Sequence, residues 1–166
     1  MKTVSILLLI GLTASCAAAT HDPGEDMTTI ELGKGKVTIH YGTPKLNGRS
    51  LDDMIKPGLA WFMGMNFPTT LETTATLDFD GKKLPPGKYA IFARADEHRN
   101  WTLLISSAIA RQFDPSTVVL EAPLRFTKDG PSQELLKFTL EKTGSGASMV
   151  VAWGTYRLQR GFSASS

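Results

Sequence analysis

Five residues in the first half of the chain carry side chains that could together bind a small molecule: His40, Arg49, Trp61, Asn66 and Glu72. An indole offers a flat apolar platform, and a few polar groups around such a platform orient a ligand in a pocket. Three of the five lie within the stretch 42–70, and the other two flank it. We therefore predict a small-ligand or sugar pocket where this stretch meets the rest of the domain.

Each of these residues also has a structural alternative. Arg49 could form an ion pair with a nearby carboxylate such as Asp52 and thereby fix the loop. Trp61 could belong to the core, Asn66 could cap a turn, and Glu72 could be an exposed charge on a strand. The sequence leaves ligand binding and loop anchoring open as roles for this set.

A second possibility is a site for a soft metal ion. Met63 and Met65, with Met54 and His40, could supply thioether and imidazole ligands to Cu(I). Methionine is also a flexible side chain that fills gaps in apolar cores, and this is the ordinary role of a methionine-rich stretch. We retain copper binding through Met63, Met65 and His40 as an alternative and predict no metal site.

Catalysis would need a base with a partner. A hydrolase-like enzyme would use His40 with Glu72 or an aspartate, because His98 is the only other histidine beyond residue 29. The chain contains no Gly-x-Ser-x-Gly sequence of the kind that presents a nucleophilic serine. The sequence therefore favours a binding module over an enzyme, and we predict no catalytic residue and no cofactor.

Composition excludes two further classes. The formal net charge is +2, without the clustered basic face that nucleic-acid binding requires. Cys16 is the only cysteine, so the folded part holds no disulfide and no thiolate ligand. A small ligand or a protein of the cell envelope is the expected partner.

Alternation with a period of two indicates β-strands around the candidate residues. It is clearest at Val37, Ile39 and Tyr41, and again at every second residue over 71–79. After 79, Pro86 and Gly87 predict a type II turn that ends one strand and begins the next.

The stretch 42–70 interrupts this pattern for almost thirty residues, which is long for a structureless connection in a compact domain. Ser50 followed by Asp53 resembles a capping box and predicts a short helix that ends by Pro57. We expect an ordered loop that covers one end of the sheet.

Short alternating runs continue to residue 158, with Pro123 marking an edge strand or a bulge. About eight short strands separated by turns predict an all-β fold, a single antiparallel β-sandwich or a jelly-roll-like domain.

The chain begins with a pattern typical of export. Lys2, an apolar run over 4–12 and small residues to Ala19 predict a signal peptide over 1–19. Cleavage near Ala19 would release a soluble protein, whereas a lipoprotein signal would leave a lipidated Cys16 as the only membrane anchor. We predict a flexible tether over 20–29, the β-domain over 30–160 and a disordered tail over 161–166, in a periplasmic or envelope-anchored protein.

Several motifs in fixed order resemble a bacterial family, the domain-of-unknown-function family 2911, over about residues 30 to 158. The residues that carry the resemblance are Tyr41-Gly42-Thr43-Pro44, Gly48-Arg49, Pro57-Gly58, Trp61-Phe62-Met63-Gly64-Met65-Asn66, Thr70, Gly81-Lys82-Lys83-Leu84-Pro85-Pro86-Gly87-Lys88-Tyr89 and Trp101. The resemblance implies an exported or lipid-anchored protein with a β-sandwich-like fold and no established activity. Thr43 and Phe62 stand where the family pattern has arginines, so an anion site built on those arginines would be lost here.

Overall fold

A computed structural model describes residues 24–33 and 35–165. Within these residues it contains eleven strands, one α-helix and one 3-10 turn. The strands are β1 Glu25–Leu32, β2 Gly35–Gly42, β3 Thr70–Thr73, β4 Thr76–Phe79, β5 Lys82–Leu84, β6 Gly87–Ala95, β7 Trp101–Ser106, β8 Val118–Thr127, β9 Gln133–Thr143, β10 Gly146–Gly154 and β11 Tyr156–Ser165. The helix α1 is Leu51–Met54, and the 3-10 turn is Pro115–Thr117.

The strands form an antiparallel sheet in the order β1-β2-β3-β6-β7-β8-β11-β10-β9, with β4 paired to β11 and β5 paired to β4. The first and last strands of this order lie next to each other. Main-chain hydrogen bonds from Leu46 N to Glu134 O (2.9 Å) and from Leu136 N to Pro44 O (3.1 Å) extend the contact beyond β2. The all-β prediction is confirmed, and the sheet takes the form of a nearly closed barrel.

The buried core side chains recur at every second residue along a strand. Val37, Ile39 and Tyr41 on β2 are each no more than 1% exposed, as the alternation predicts. Leu77 and Phe79 on β4 are also buried. Because successive side chains of a strand point to opposite faces, one face of each strand fills the barrel and the other faces outward.

The alternating run over 71–79 forms two strands instead of one. The Thr73 hydroxyl donates to Ala75 O at 2.7 Å and accepts from Ala75 N at 3.2 Å, and the chain bends there. A threonine that bonds to nearby backbone competes with the sheet ladder. β3 therefore stays in the main sheet, while β4 turns away to pair with β5 and β11.

The corner at Pro86 and Gly87 joins β5 to β6, but the two strands do not pair with each other. Gly87 has φ of 159°, so the expected type II turn, which needs about 80° at this position, does not form. The hairpin lies one turn earlier, where Asp80 and Gly81 have φ of 53° and 91°. Positive φ at both central residues is the requirement of a type I′ hairpin turn.

Main-chain pairing is incomplete between β8 and β11, and we call this interruption the gap between these two strands. β8 pairs with β7 from Val118 to Leu124 but with β11 only from Arg125 to Thr127. β11 then pairs with β4. Pro123, which has no N–H to donate, lies in the part of β8 that has no partner on the β11 side, as expected for an edge.

Both ends of the domain differ from the predicted boundaries. β1 begins at Glu25, inside the predicted tether, and pairs with β2 along its whole length. β11 continues to Ser165, through the predicted tail. Main-chain pairing leaves no signal in composition, so the sequence pattern did not identify these two segments as strands. The predicted signal peptide and Cys16 lie outside the described residues, among which no helix is long and apolar enough to cross a membrane.

Candidate functional site

The connection between β2 and β3, residues 43–69, is docked along β6. β3 pairs with β6 only as far as Ala90, and beyond that point the connection supplies the hydrogen bonds. Trp61 and Ala93 exchange two main-chain bonds of 2.8 Å, and Gly58 N donates to Ala95 O at 2.8 Å. The prediction of an ordered loop is confirmed, because its backbone completes the ladder that β3 leaves unfinished.

The short helix α1 forms where the sequence predicts it, but without the capping box. Ser50 is the N-cap residue, and its side chain makes no capping hydrogen bond. Asp53 N instead donates to the main-chain oxygen of Ser50 at 3.2 Å. The helix is therefore held by contacts to the barrel and not by its own cap.

Those contacts converge on Asp52. Its carboxylate accepts hydrogen bonds from Arg99 Nη2 (2.7 Å), from the Tyr156 hydroxyl and from Lys128 Nζ. Arg99 Nη1 also donates to the Tyr156 hydroxyl at 2.6 Å. We call these four side chains the Asp52 latch, because they join α1 to β11 and to two turns that are distant in sequence.

The latch holds both acidic groups in fixed protonation states. Hydrogen bonding from Lys128 and Tyr156 lowers the pKa of Asp52 to about 2, and the nearby charges act in the same direction. Burial, followed by the hydrogen bond to Asp52, raises the pKa of Tyr156 to about 12. Asp52 is thus a carboxylate and Tyr156 a neutral phenol over a wide pH range, so neither group is poised to exchange protons near neutral pH.

A cleft of about 1060 Å³ opens at the mouth of the barrel, between the 43–69 connection and the ends of β1, β9 and β10. Trp61 and Trp153 both line it, and their indole rings stack on each other at 5.8 Å with an angle of 18° between planes. Other apolar side chains complete its walls, namely Met54, Ile55, Phe62, Met65 and Leu135. Met54 and Leu135 are 38% and 40% exposed, so part of this apolar surface is open to a ligand.

Polar groups border this apolar surface. Glu25 and Asp26 lie on one side of the cleft and Lys45 and Arg49 on the other, so its formal charges balance. Asp26 accepts a hydrogen bond of 3.0 Å from the buried hydroxyl of Tyr41. The cleft offers a flat aromatic surface with both signs of charge at its border.

Three of the five predicted site residues, Arg49, Trp61 and Asn66, line this cleft together. The guanidinium of Arg49 donates to the main-chain oxygens of Lys45 (2.6 Å) and Leu46 (3.0 Å). It therefore shapes the turn that leads into α1, instead of forming the ion pair with Asp52 that the sequence left open.

The other two, His40 and Glu72, lie outside the cleft. His40 alternates with the core residues Ile39 and Tyr41, so its ring points outward, where it stacks on Phe67 at 4.7 Å. Its Nε2 lies 3.1 Å from a carboxylate oxygen of Glu25. The outward position of His40 follows because successive side chains of a strand point to opposite faces.

Glu72 is exposed on β3 between Thr38 of β2 and Lys88 of β6. An opposite charge at a directly paired position is a common stabilising arrangement on the surface of a sheet. Glu72 is thus an exposed charge on a strand, which the sequence left open as the alternative to a ligand-binding role.

The methionines and His40 also occupy different places. Met63 is fully buried in the main core, whereas Met54 and Met65 line the cleft. Among the described residues no three histidine, cysteine, aspartate or glutamate side chains are grouped to hold a metal ion. Of Met63, Met65 and His40, only Met65 lines the cleft.

Sequence reasoning missed Trp153 and Leu135, which form the wall of the cleft opposite the connection. Trp153 belongs to the core, whereas Leu135 precedes the core residue Leu136 and lies on the opposite face of β9. Only the closure of the barrel, through the bridge between Lys45 and Leu135, brings them to the mouth.

Comparison with known proteins identifies a family and nothing more specific. No curated protein and no solved structure matches the chain. The family model described as "Protein of unknown function (DUF2911)" matches residues 23–161, which is most of the chain and all but the last few residues of the barrel. The chain, with its nearly closed barrel and docked connection, therefore belongs to the DUF2911 family.

Proposed function

We propose that this protein binds a small amphipathic molecule in the cleft at the barrel mouth, with a flat apolar part against Trp61 and polar groups at the charged border. The stacked indoles of Trp61 and Trp153 are the observation that supports this most strongly. Aromatic surface of this kind contributes much of the binding energy of small-ligand sites. The volume of about 1060 Å³ lies near the upper end of the range for such sites.

A binding role fits the polar groups better than catalysis. His40, the base that the sequence suggested, stacks on Phe67 and faces away from the apolar surface. Glu72, its suggested partner, is exposed on a different strand. A nucleophile or base must reach the bound substrate, and these two residues do not line the cleft.

Substituting Met54 with arginine should block binding without unfolding the protein. Met54 lies on α1, is 38% exposed and lines the cleft, so an arginine there places a charged side chain against the apolar surface. We use N-phenyl-1-naphthylamine as the probe, because it is flat, apolar and fluorescent only when shielded from water. The expected result is saturable binding to the wild type and at least about tenfold weaker binding to Met54→Arg.

The matched control is Leu59→Arg, which places the same side chain on the same connection. Leu59 is 65% exposed and does not line the cleft. Its dye affinity should equal that of the wild type. Equal affinities for all three proteins would show that the dye binds elsewhere and would contradict the proposed site.

We also propose that the protein is exported and acts in the cell envelope. The support is the sequence pattern over 1–19, with either lipidation at Cys16 or cleavage near Ala19. Mass spectrometry of the mature N-terminus in the producing bacterium tests this. A chain that begins at a lipidated Cys16 or at Thr20 is expected, and a chain that retains Lys2 would refute export by this route.

A further inference from the structure

Arg160 occupies an unusual position on the inner face of β11. It is the direct partner of Met149 on β10, and the buried residues Leu158 and Phe162 precede and follow it on the same face. Its side chain is only 11% exposed. Arginine is almost never buried to this extent without full pairing. It lies at the gap between β8 and β11.

The guanidinium of Arg160 has more donors than partners. Arginine carries five N–H groups. Among the described residues, Nη2 donates to Asp80 Oδ2 at 2.8 Å, Nη1 makes a long contact of 3.4 Å to Pro123 O, and Nε is buried with no hydrogen-bond partner. Asp80 is 85% exposed, so the single counter-charge of this buried cation is itself mostly in water. A buried donor without a protein partner is rare, and such a donor is commonly satisfied by a bound water or ion.

A groove of about 560 Å³ borders the gap. Arg160 and Arg125 both line it, and none of its lining residues is acidic. Gln159 donates to the Ser148 hydroxyl at 2.8 Å, which leaves the proton of that hydroxyl free to be donated in turn. The groove thus combines two cations with neutral donors. Asp80 lies on the other side of Arg160, where it lines a separate cavity.

We propose that this groove is an oxyanion site that takes the phosphate or sulfate group of a small molecule or a lipid head group. Arg125 and Arg160 supply the charge, and Ser148 and Gln159 supply directional hydrogen bonds. Charge-assisted bonds from arginine to such groups are short and strong, and they are well suited to a planar guanidinium. The site is separate from the cleft at the barrel mouth, so a test of this site does not depend on the ligand proposed for the cleft.

Calorimetric titration of the folded domain with inorganic phosphate, at constant ionic strength in chloride, tests the proposal. The wild type should bind phosphate saturably. Arg125→Gln should weaken binding about tenfold, because an exposed side chain that contributes one charged hydrogen bond is lost without disturbing the core. Asp80→Asn should tighten binding several-fold, because it removes the carboxylate that competes for Arg160.

Arg111→Gln is the matched control, since Arg111 is exposed on a distant loop and does not line the groove. It should bind phosphate like the wild type. Vesicles of phosphatidylcholine with and without phosphatidylglycerol, used with the same variants, distinguish a free anion from a lipid head group. Binding of either probe that depends on Arg125 supports the site. Absence of saturable binding to both probes, or equal loss in Arg125→Gln and Arg111→Gln, would overturn it.

Discussion

Replacing Gly42 with alanine is expected to destabilise the protein by about 3 kcal/mol and to displace the wall of the cleft. A Cβ atom at Gly42 would lie 2.2 Å from the main-chain oxygen of Met65 and 2.8 Å from its Cγ. No real contact is this short, and the closest atom is backbone, which cannot swing aside. The end of β2 and the docked connection must therefore move apart. Chemical denaturation measures the loss of stability, and the dye titration measures the loss of the cleft.

Gly161→Ala is the control for this substitution. Gly161 is also a strand glycine, but its added Cβ would meet nothing closer than Ala147 O at 3.8 Å. It should change the free energy of unfolding by no more than about 0.5 kcal/mol. Equal stability of Gly42→Ala and the wild type would mean that the connection does not press against β2 as described.

Replacing Asp52 with asparagine should cost about 1.5 kcal/mol at neutral pH. The substitution removes the charge that Arg99, Lys128 and Tyr156 share. The value is modest because the Asp52 side chain is 38% exposed, and water screens part of the attraction. Since α1 carries Met54 and Ile55 at the cleft, the same variant should also weaken dye binding.

The stability contributed by Asp52 should depend on pH in a defined way. Its pKa is lowered from 3.8 to about 2 in the folded protein, so the unfolded chain takes up a proton first as the pH falls. The full contribution is present above about pH 4 and disappears as the pH falls through 2. Denaturation curves of the wild type and Asp52→Asn should therefore differ at pH 6 and converge near pH 2.

Asp53→Asn serves as the control, because Asp53 lies on the same helix turn and makes no side-chain bond among the described residues. It should match the wild type at every pH. A constant difference between wild type and Asp52→Asn down to pH 2 would contradict the latch.

Strand parity was the part of the fold that the sequence predicted best. Alternation placed Ile39 and Tyr41 in the core, because burial on one face of a strand leaves a direct mark on composition. The bend after Thr73 leaves no such mark, since a threonine whose hydroxyl bonds to the backbone of Ala75 has the same sequence signal as any other strand threonine. The polar strand β1 was missed for a related reason, because its stability comes from main-chain pairing.

The candidate site was predicted only in part. Arg49, Trp61 and Asn66 lie on one continuous connection, so proximity in sequence was enough to group them. His40 was grouped with them although it alternates with the core residues Ile39 and Tyr41, which already placed it on the outer face. Trp153 and the Asp52 latch depend on how the barrel closes, which brings together residues about a hundred positions apart. No local pattern encodes those contacts.

The central claim is that the docked connection and the barrel mouth form one ligand cleft, and the three tryptophans test it most directly. Each gives a separate indole N–H signal in a proton–nitrogen NMR spectrum, and Trp61 and Trp153 line the cleft whereas Trp101 does not. On titration with N-phenyl-1-naphthylamine, the signals of Trp61 and Trp153 should shift most and should saturate together. Unchanged signals for these two residues, while the dye binds, would contradict the cleft as the binding site.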